Sequence, residues 1–249
     1  MTISDDRPPQ PDVTAPTDLR PQFHRELDSI REDIARMAAW VTEAIPEATE
    51  ILLTQDLAGA DELVRADAEI DRKAFELEER CYTVIARQSP VARDLRALVS
   101  ALRIIAEVER SADLAVNICK AARRMHGHRL DATLRGIVRK MGDQAHHLFK
   151  EATESYLAGD ATRATALADM DEYLDDLQRE LIATIFRSEN EERMQLQVAV
   201  QLAVVARFYE RIGDHAVNMG ERTRYVVEGW GADDGGPQFV TRAAASDLE

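Results

Sequence analysis

The chain has 249 residues, 45% of them hydrophobic and 31% charged, with 11 glycines and 5% aromatics, a balance that favours an all-helical fold over a sheet. Its 46 acids outnumber its 31 bases for a formal net charge of -15, with no Lys/Arg block, which argues against nucleic acid as a partner and disfavours anionic membrane surfaces and free phosphate unless a bound cation reverses the local field. No apolar run reaches the ~18 residues that span a bilayer and no charged-then-apolar leader opens the chain, so direct membrane insertion is not expected and cytoplasm is the default location.

Residues 1–19 carry Pro8, Pro9, Pro11 and Pro16 among small polar residues and read as a disordered N-terminal segment. A first helix over about 22–57 follows, with Phe23, Leu27, Ile30, Ile34, Met37, Val41, Ile45, Ala48 and Leu52 at three- and four-residue spacing. Pro46 is expected to bend it, and Gly59 to end it in the left-handed conformation. The periodicity predicts further helices over about 61–87, 90–125, 131–158, 161–187 and 190–228. Ser89-Pro90 reads as an N-cap with proline at the first helical position, Gly127 marks the break at 125–129, Gly159 ends the fourth helix, and the last break is placed at Ser188 to Asn190. Residues 230–249, with Gly231, Gly235, Gly236 and Pro237, read as a flexible C-terminal tail. Cys81 and Cys119 lie in apolar helical contexts and outside any Cys-x-x-Cys pair, as reduced core thiols do.

The chain is also written twice. Glu109-Arg110-Ser111-Ala112-Asp113-Leu114-Ala115-Val116-Asn117 returns as Glu210-Arg211-Ile212-Gly213-Asp214-His215-Ala216-Val217-Asn218, and Leu57-Ala58-Gly59 as Leu157-Ala158-Gly159. Short connections make sequential helices antiparallel neighbours, so the fold predicted is two tandem, pseudo-symmetric, up-down-up three-helix bundles, over residues 20–127 and 128–229.

In each copy two carboxylates stand one helical turn apart and continue the apolar stripe instead of opposing it. Glu109 and Asp113 follow Leu98, Leu102 and Ile105; Glu210 and Asp214 follow Ala199, Ala203 and Ala206. Asp67 and Asp71 stand on the stripe of the second helix, and Asp171 and Asp175 less cleanly on that of the fifth, where a slip of register would substitute Asp169. Two carboxylates about 5.5 Å apart repel by about 3 kcal/mol at an effective dielectric near 20, and four close ones approach the ~5–15 kcal/mol that holds a whole domain. Arginine pairing, protonation or a bound cation could relieve this. Arg110 and Arg211 point roughly a hundred degrees around the helix from their neighbouring acids. A cation is the simplest answer, and hard oxygen ligands suit magnesium, calcium, manganese or iron, with zinc a further candidate.

The phrase Glu-Arg-x-Gly-Asp-His-Ala-x-Asn at 210–218, its altered copy at 109–117, and Pro90-Val91-Ala92-Arg93-Asp94-Leu95-Arg96 together resemble the PhoU family of phosphate-signalling regulators over about residues 20–229. The resemblance implies tandem three-helix bundles with multinuclear metal sites on the acid seams, carried here by Asp67, Asp71, Glu109 and Asp113 in one half and Asp171, Asp175, Glu210 and Asp214 in the other. It implies no enzymatic activity. The implied role is a cytoplasmic, homodimeric negative regulator of the phosphate-starvation response, linking the ATPase subunit of a phosphate ABC transporter to a sensor histidine kinase. The first copy departs from the pattern: Ser111-Ala112 replaces a bulky residue and glycine, and Leu114 stands where the second copy has His215. His215 itself reads as a hydrogen-bonding neighbour of the ligands more than as a ligand.

Two other readings share the helical fold. A non-catalytic adaptor would use the acids to dock basic partners without metal. A carboxylate-bridged metal-storage or di-iron bundle would need Glu-x-x-His pairs, which this chain lacks.

Overall fold

The structure is a computed structural model and describes residues 20–190 and 195–229. The predicted disorder of 1–19 and flexibility of 230–249 lie outside the described residues. Six helices account for the described chain: α1 (Pro21–Thr54), α2 (Leu57–Gln88), α3 (Ala92–Arg124), α4 (Ala132–Ala158), α5 (Ala161–Asn190) and α6 (Leu196–Glu228). No strand occurs among the described residues. Helices α1, α2 and α3 pack mutually, as do α4, α5 and α6, and the two bundles join along α1 against α4 and α3 against α6.

The predicted stripe of α1 is the buried face: Phe23, Ile30, Ile34, Met37, Val41, Ile45, Ala48 and Leu52 are all buried, and Leu27 packs against them half-buried. The helix runs through Pro46 without interruption.

Two of the predicted caps are corrected. Gly59 does not end α1. Gln55 takes the left-handed conformation instead (φ 60), and Asp56 then caps α2 by accepting from the N–H groups of Ala58 and Gly59, both at 3.1 Å. Gly59 therefore lies in the first turn of α2, where an added Cβ would sit 2.7 Å from Asp56 Oδ2. Gly159 does end α4 as predicted, at φ 62. The equivalent of Asp56 is Asp160, which accepts from Arg163 N–H at 3.0 Å at the start of α5. The two Leu-Ala-Gly phrases are thus out of structural register, and the caps set it.

Ser89 is likewise not an N-cap. It closes α2 in the left-handed region (φ 43), its N–H donating to Ile85 O, and α3 begins after Pro90 and Val91. A residue before proline is disfavoured in the right-handed helical region, so α2 must stop there. At the far end α5 carries through Ser188 to Asn190, and the described chain resumes at Gln195.

Tyr209 is fully buried between the bundles, its hydroxyl 2.8 Å from Thr49 Oγ1 on α1. Gly142 of α4 backs onto the same threonine, where a Cβ would come within 2.6 Å of Thr49 Cγ2. Cys81 and Cys119 are free, fully buried thiols, and burial pushes them up to about 11 and about 12.

Candidate functional site

The cap register carries directly to the acids. Asp67 lies eleven residues after Asp56, and Asp171 eleven after Asp160, so each occupies the same turn of its helix. Asp171 is buried, at 2% exposure, whereas Asp169 is exposed. The contact that buries Asp171 is with Gly213 on α6: a Cβ there would overlap the Asp171 carboxylate and lie 2.8 Å from Leu174 Cδ2. Glycine inside the repeated phrase therefore lets α5 close onto α6 at the seam, and places Asp171 beside the residue that precedes Asp214.

In the first seam Asp67 and Glu109 are half-buried, while Asp71 and Asp113 are exposed. Asp113 thus projects further from the core than its place on the apolar stripe predicts. In the second seam Asp175, Glu210 and Asp214 are half-buried around the buried Asp171.

The electrostatics show both seams to be crowded with like charge. Burial, then the carboxylates of Asp71, Asp113 and Glu109, push Asp67 up to about 6 against the opposing pull of Lys120. Burial, then Asp113 and Asp71, raise Glu109. Burial, then Asp214 and Asp175, push Glu210 up to about 7, although Arg207 one turn away pairs with it at 2.7 Å. Arg207 and Lys120 were not visible as partners in the sequence. They relieve the repulsion only in part, and the expected bystanders Arg110 and Arg211 are exposed.

Asp67 Oδ1 and Glu210 Oε2 are buried and have no hydrogen-bond partner among the described residues. Such orphaned carboxylates, once deprotonated, have the chemistry of hard-cation ligands, and the oxygen-only donor sets suit a divalent or trivalent ion. Among the described residues, however, no three acidic, histidine or cysteine side chains converge on one point as a closed cage. The donors fit a cation by type and charge. Their side chains as placed supply pairs and not a completed coordination sphere.

Sequence reasoning missed Glu107. It stands two residues before Glu109, about two hundred degrees around the helix, and so faces α6 instead of α2. Its Oε2 lies 2.5 Å from Nδ1 of His215, a side chain with 9% exposure, across the joint between the bundles. Burial raises the Glu107 carboxyl, but hydrogen bonds from His215 and Asn218, with the charges of His215 and Arg110, outweigh it and hold the group below the usual carboxylate range. His215 is thereby a bridge between the two bundles, and Leu114 in the first copy has no such part to play.

The sequence and the fold both match known proteins. The PhoU domain model covers residues 34–122 and 138–223, once per copy. The chain belongs to the PhoU family. It is 32% identical over 212 residues to phosphate-specific transport system accessory protein PhoU homolog 2 of Mycobacterium tuberculosis, covering 85% of this chain and 99% of that protein. It is equally identical to PhoU homolog 1 of Mycobacterium leprae, over 85% of this chain and 95% of the other. Among solved structures, PhoU from Pseudomonas aeruginosa superposes with a TM-score of 0.80 at 26% identity, over 84% of this chain and all of that one. The regulatory PhoU of Streptococcus pneumoniae superposes at 0.77 and 22% identity, a likeness of fold alone. The tandem six-helix bundle expected from the repeat is therefore the PhoU fold.

Proposed function

We propose that this PhoU-family protein is a non-catalytic accessory regulator of phosphate-specific transport, and that it holds the phosphate-starvation response off when phosphate is plentiful. Its relatives carry the transport-accessory description in their names. In this reading it works in the cytoplasm as a homodimer, between the ATPase subunit of a phosphate ABC transporter and a sensor histidine kinase. No helix among the described residues is long and apolar enough to cross a membrane, as suits a protein that reaches these partners from the aqueous side.

The observation that carries the metal part of the reading is that both seams hold a buried carboxylate oxygen with no hydrogen-bond partner among the described residues, Asp67 Oδ1 on the first and Glu210 Oε2 on the second. Asp67, Asp71, Glu109 and Asp113 would hold cations on the first bundle, and Asp171, Asp175, Glu210 and Asp214 on the second. A bound cation supplies positive charge that cancels the repulsion within each seam. The chain's own residues do the rest: Gly213 admits Asp171 to the seam, Arg207 orients Glu210, and the His215–Glu107 bond fixes α3 against α6 so that both seams sit on one rigid frame.

A second reading has a specific observation in its favour. Asp71 and Asp113 are exposed and no three-carboxylate cage forms among the described residues, which suits an adaptor whose acids dock basic partner surfaces without metal. The experiment that separates the proposals is a phosphate-starvation reporter in cells grown on high phosphate. Deletion of this protein, in a strain without a second family member, is expected to switch the reporter on. Restoration by the wild-type chain but not by a variant with Glu109, Asp113, Glu210 and Asp214 changed to Ala supports the acid-seam regulator. A reporter that stays off on deletion overturns the regulatory reading, and full restoration by the variant overturns the role of the seams.

A further inference from the structure

The two seams hold matching carboxylates but not matching counter-charges. The repeated phrase aligns Glu109 with Glu210 and Asp113 with Asp214, so the residue three before the first acid is Ala106 on α3 and Arg207 on α6. Seven residues after the second acid stand Lys120 on α3 and Glu221 on α6. Each inner helix therefore brings a base to its seam at a place where the other copy has none.

Arg207 is in direct contact with its acid. Its Nη1 donates to Glu210 Oε1 at 2.7 Å, with the arginine side chain 49% exposed and that of Glu210 13% exposed. Residues three apart on a helix share a side of it, so the guanidinium lies to the solvent side of a carboxylate that is itself nearly buried. The contact uses one carboxylate oxygen and leaves the other, Oε2, buried and without a hydrogen-bond partner among the described residues. The other bases near this seam are engaged or act from a distance. Arg179 of α5 pairs with Asp176 at 2.9 Å and donates to the Asp175 carbonyl at 3.3 Å, and Arg211 acts on Glu210 through space.

The first seam has no such contact. Ala106 is half-buried and offers only a methyl group in the place of Arg207. Lys120 Nζ donates to Asn117 Oδ1 at 3.3 Å and acts on Asp67 through space, as Arg110 does on Glu109. Asp71 and Asp113 are exposed, so an ion from solvent meets these carboxylates directly.

We propose that Arg207 is a latch on the second seam: it stands in for the cation while that seam is empty, and a cation binds there only by displacing it from Glu210. The first seam carries no latch and fills at the lower cation concentration. This inference rests on the cation reading of the seams given above. The protein thus loads in two steps, and the second step releases a guanidinium that the empty seam keeps paired. A divalent ion held about 5 Å from a guanidinium loses about tenfold in affinity at a dielectric close to that of water, and the effect is largest at low ionic strength.

Two proteins isolate the seams for the test. Glu210→Ala with Asp214→Ala leaves the first, and Glu109→Ala with Asp113→Ala leaves the second. Mn²⁺ is titrated into each by calorimetry at low ionic strength, with circular dichroism as the check on folding. The first-seam protein is expected to bind about tenfold more tightly than the second-seam protein. Adding Arg207→Gln is expected to tighten the second seam by a similar factor and to leave the first unchanged. The reverse graft, Ala106→Arg in the first-seam protein, is expected to weaken binding to the same extent. Arg211→Gln removes the same charge beside Glu210 without the contact, and is expected to have little effect. Second-seam binding that Arg207→Gln leaves unchanged or weakens, or that Arg211→Gln tightens equally, overturns the latch while the cation reading stands. So does a graft without effect on the first seam. Wild-type protein that takes up no Mn²⁺ overturns the cation reading itself.

Discussion

Glu210 is the residue at which the charge crowding of the seam can be weighed. Burial, Asp214 and Asp175 raise its carboxyl from the ordinary 4.5 to about 7. A group whose folded value is raised favours folding when protonated. Its contribution is complete below about 4.5 and is lost as the pH climbs to and through 7. The full shift corresponds to about 3 kcal/mol, and because the side chain keeps 13% exposure and pairs with the exposed Arg207, screening brings the expected penalty to about 2 kcal/mol. Glu210→Gln removes the charge at nearly constant shape. In buffer stripped of multivalent cations, the variant is expected to be about 2 kcal/mol more stable than wild type at pH 8 and equal to it at pH 4, measured by urea unfolding followed by circular dichroism. A variant less stable than wild type at pH 8, or one whose difference from wild type does not change with pH, would refute the reasoning that burial and the neighbouring carboxylates together disfavour the ionised Glu210.

Gly213→Ala sets a methyl against the Asp171 carboxylate and Leu174, and is expected to cost about 1–3 kcal/mol in thermal unfolding. A variant as stable as wild type would contradict the close approach of α5 to α6 at Gly213. Tyr209→Phe leaves Thr49 its bond to Ile45 O and deletes only the link between the bundles, for a loss of about 0.5–1.5 kcal/mol by chemical denaturation. The Cys81 and Cys119 thiols, fully buried and pushed up to about 11 and about 12, should resist a thiol reagent in the folded protein and react only on unfolding. Rapid labelling of native protein would contradict their placement.

Much of the helix content could be read in the sequence because a buried stripe at three- and four-residue spacing has few alternatives; in α1 eight of the nine stripe positions are buried and Leu27 is half-buried, although the stripe left out the buried Ala38, Ala44, Ile51 and Leu53. Helix ends were less legible. Gly59 and Ser89 carry strong cap signals, yet the left-handed conformation falls on Gln55 in one case and the capping role is reversed in the other. A cap depends on which residue the neighbouring helix requires as its first, and that is decided by packing between helices. The seam acids were visible through duplication, and Asp171 was separated from Asp169 only when Gly213 came into contact with it. Glu107, Arg207 and Lys120 act through helix neighbours or across the bundle joint. The sequence pattern of a single helix holds no record of what lies opposite. Glu107 could still have been suspected as an acid on the face of α3 turned away from Glu109.

The most direct test of the account is a cation titration of the purified, chelator-treated protein, with metal content and affinity measured for magnesium, manganese, iron and zinc by calorimetry and elemental analysis. The account predicts saturable binding in the wild type, and loss of one set of sites in Glu210→Ala with Asp214→Ala, with helix content unchanged. Wild-type protein that binds none of these ions, or a variant that binds them as the wild type does, would contradict it.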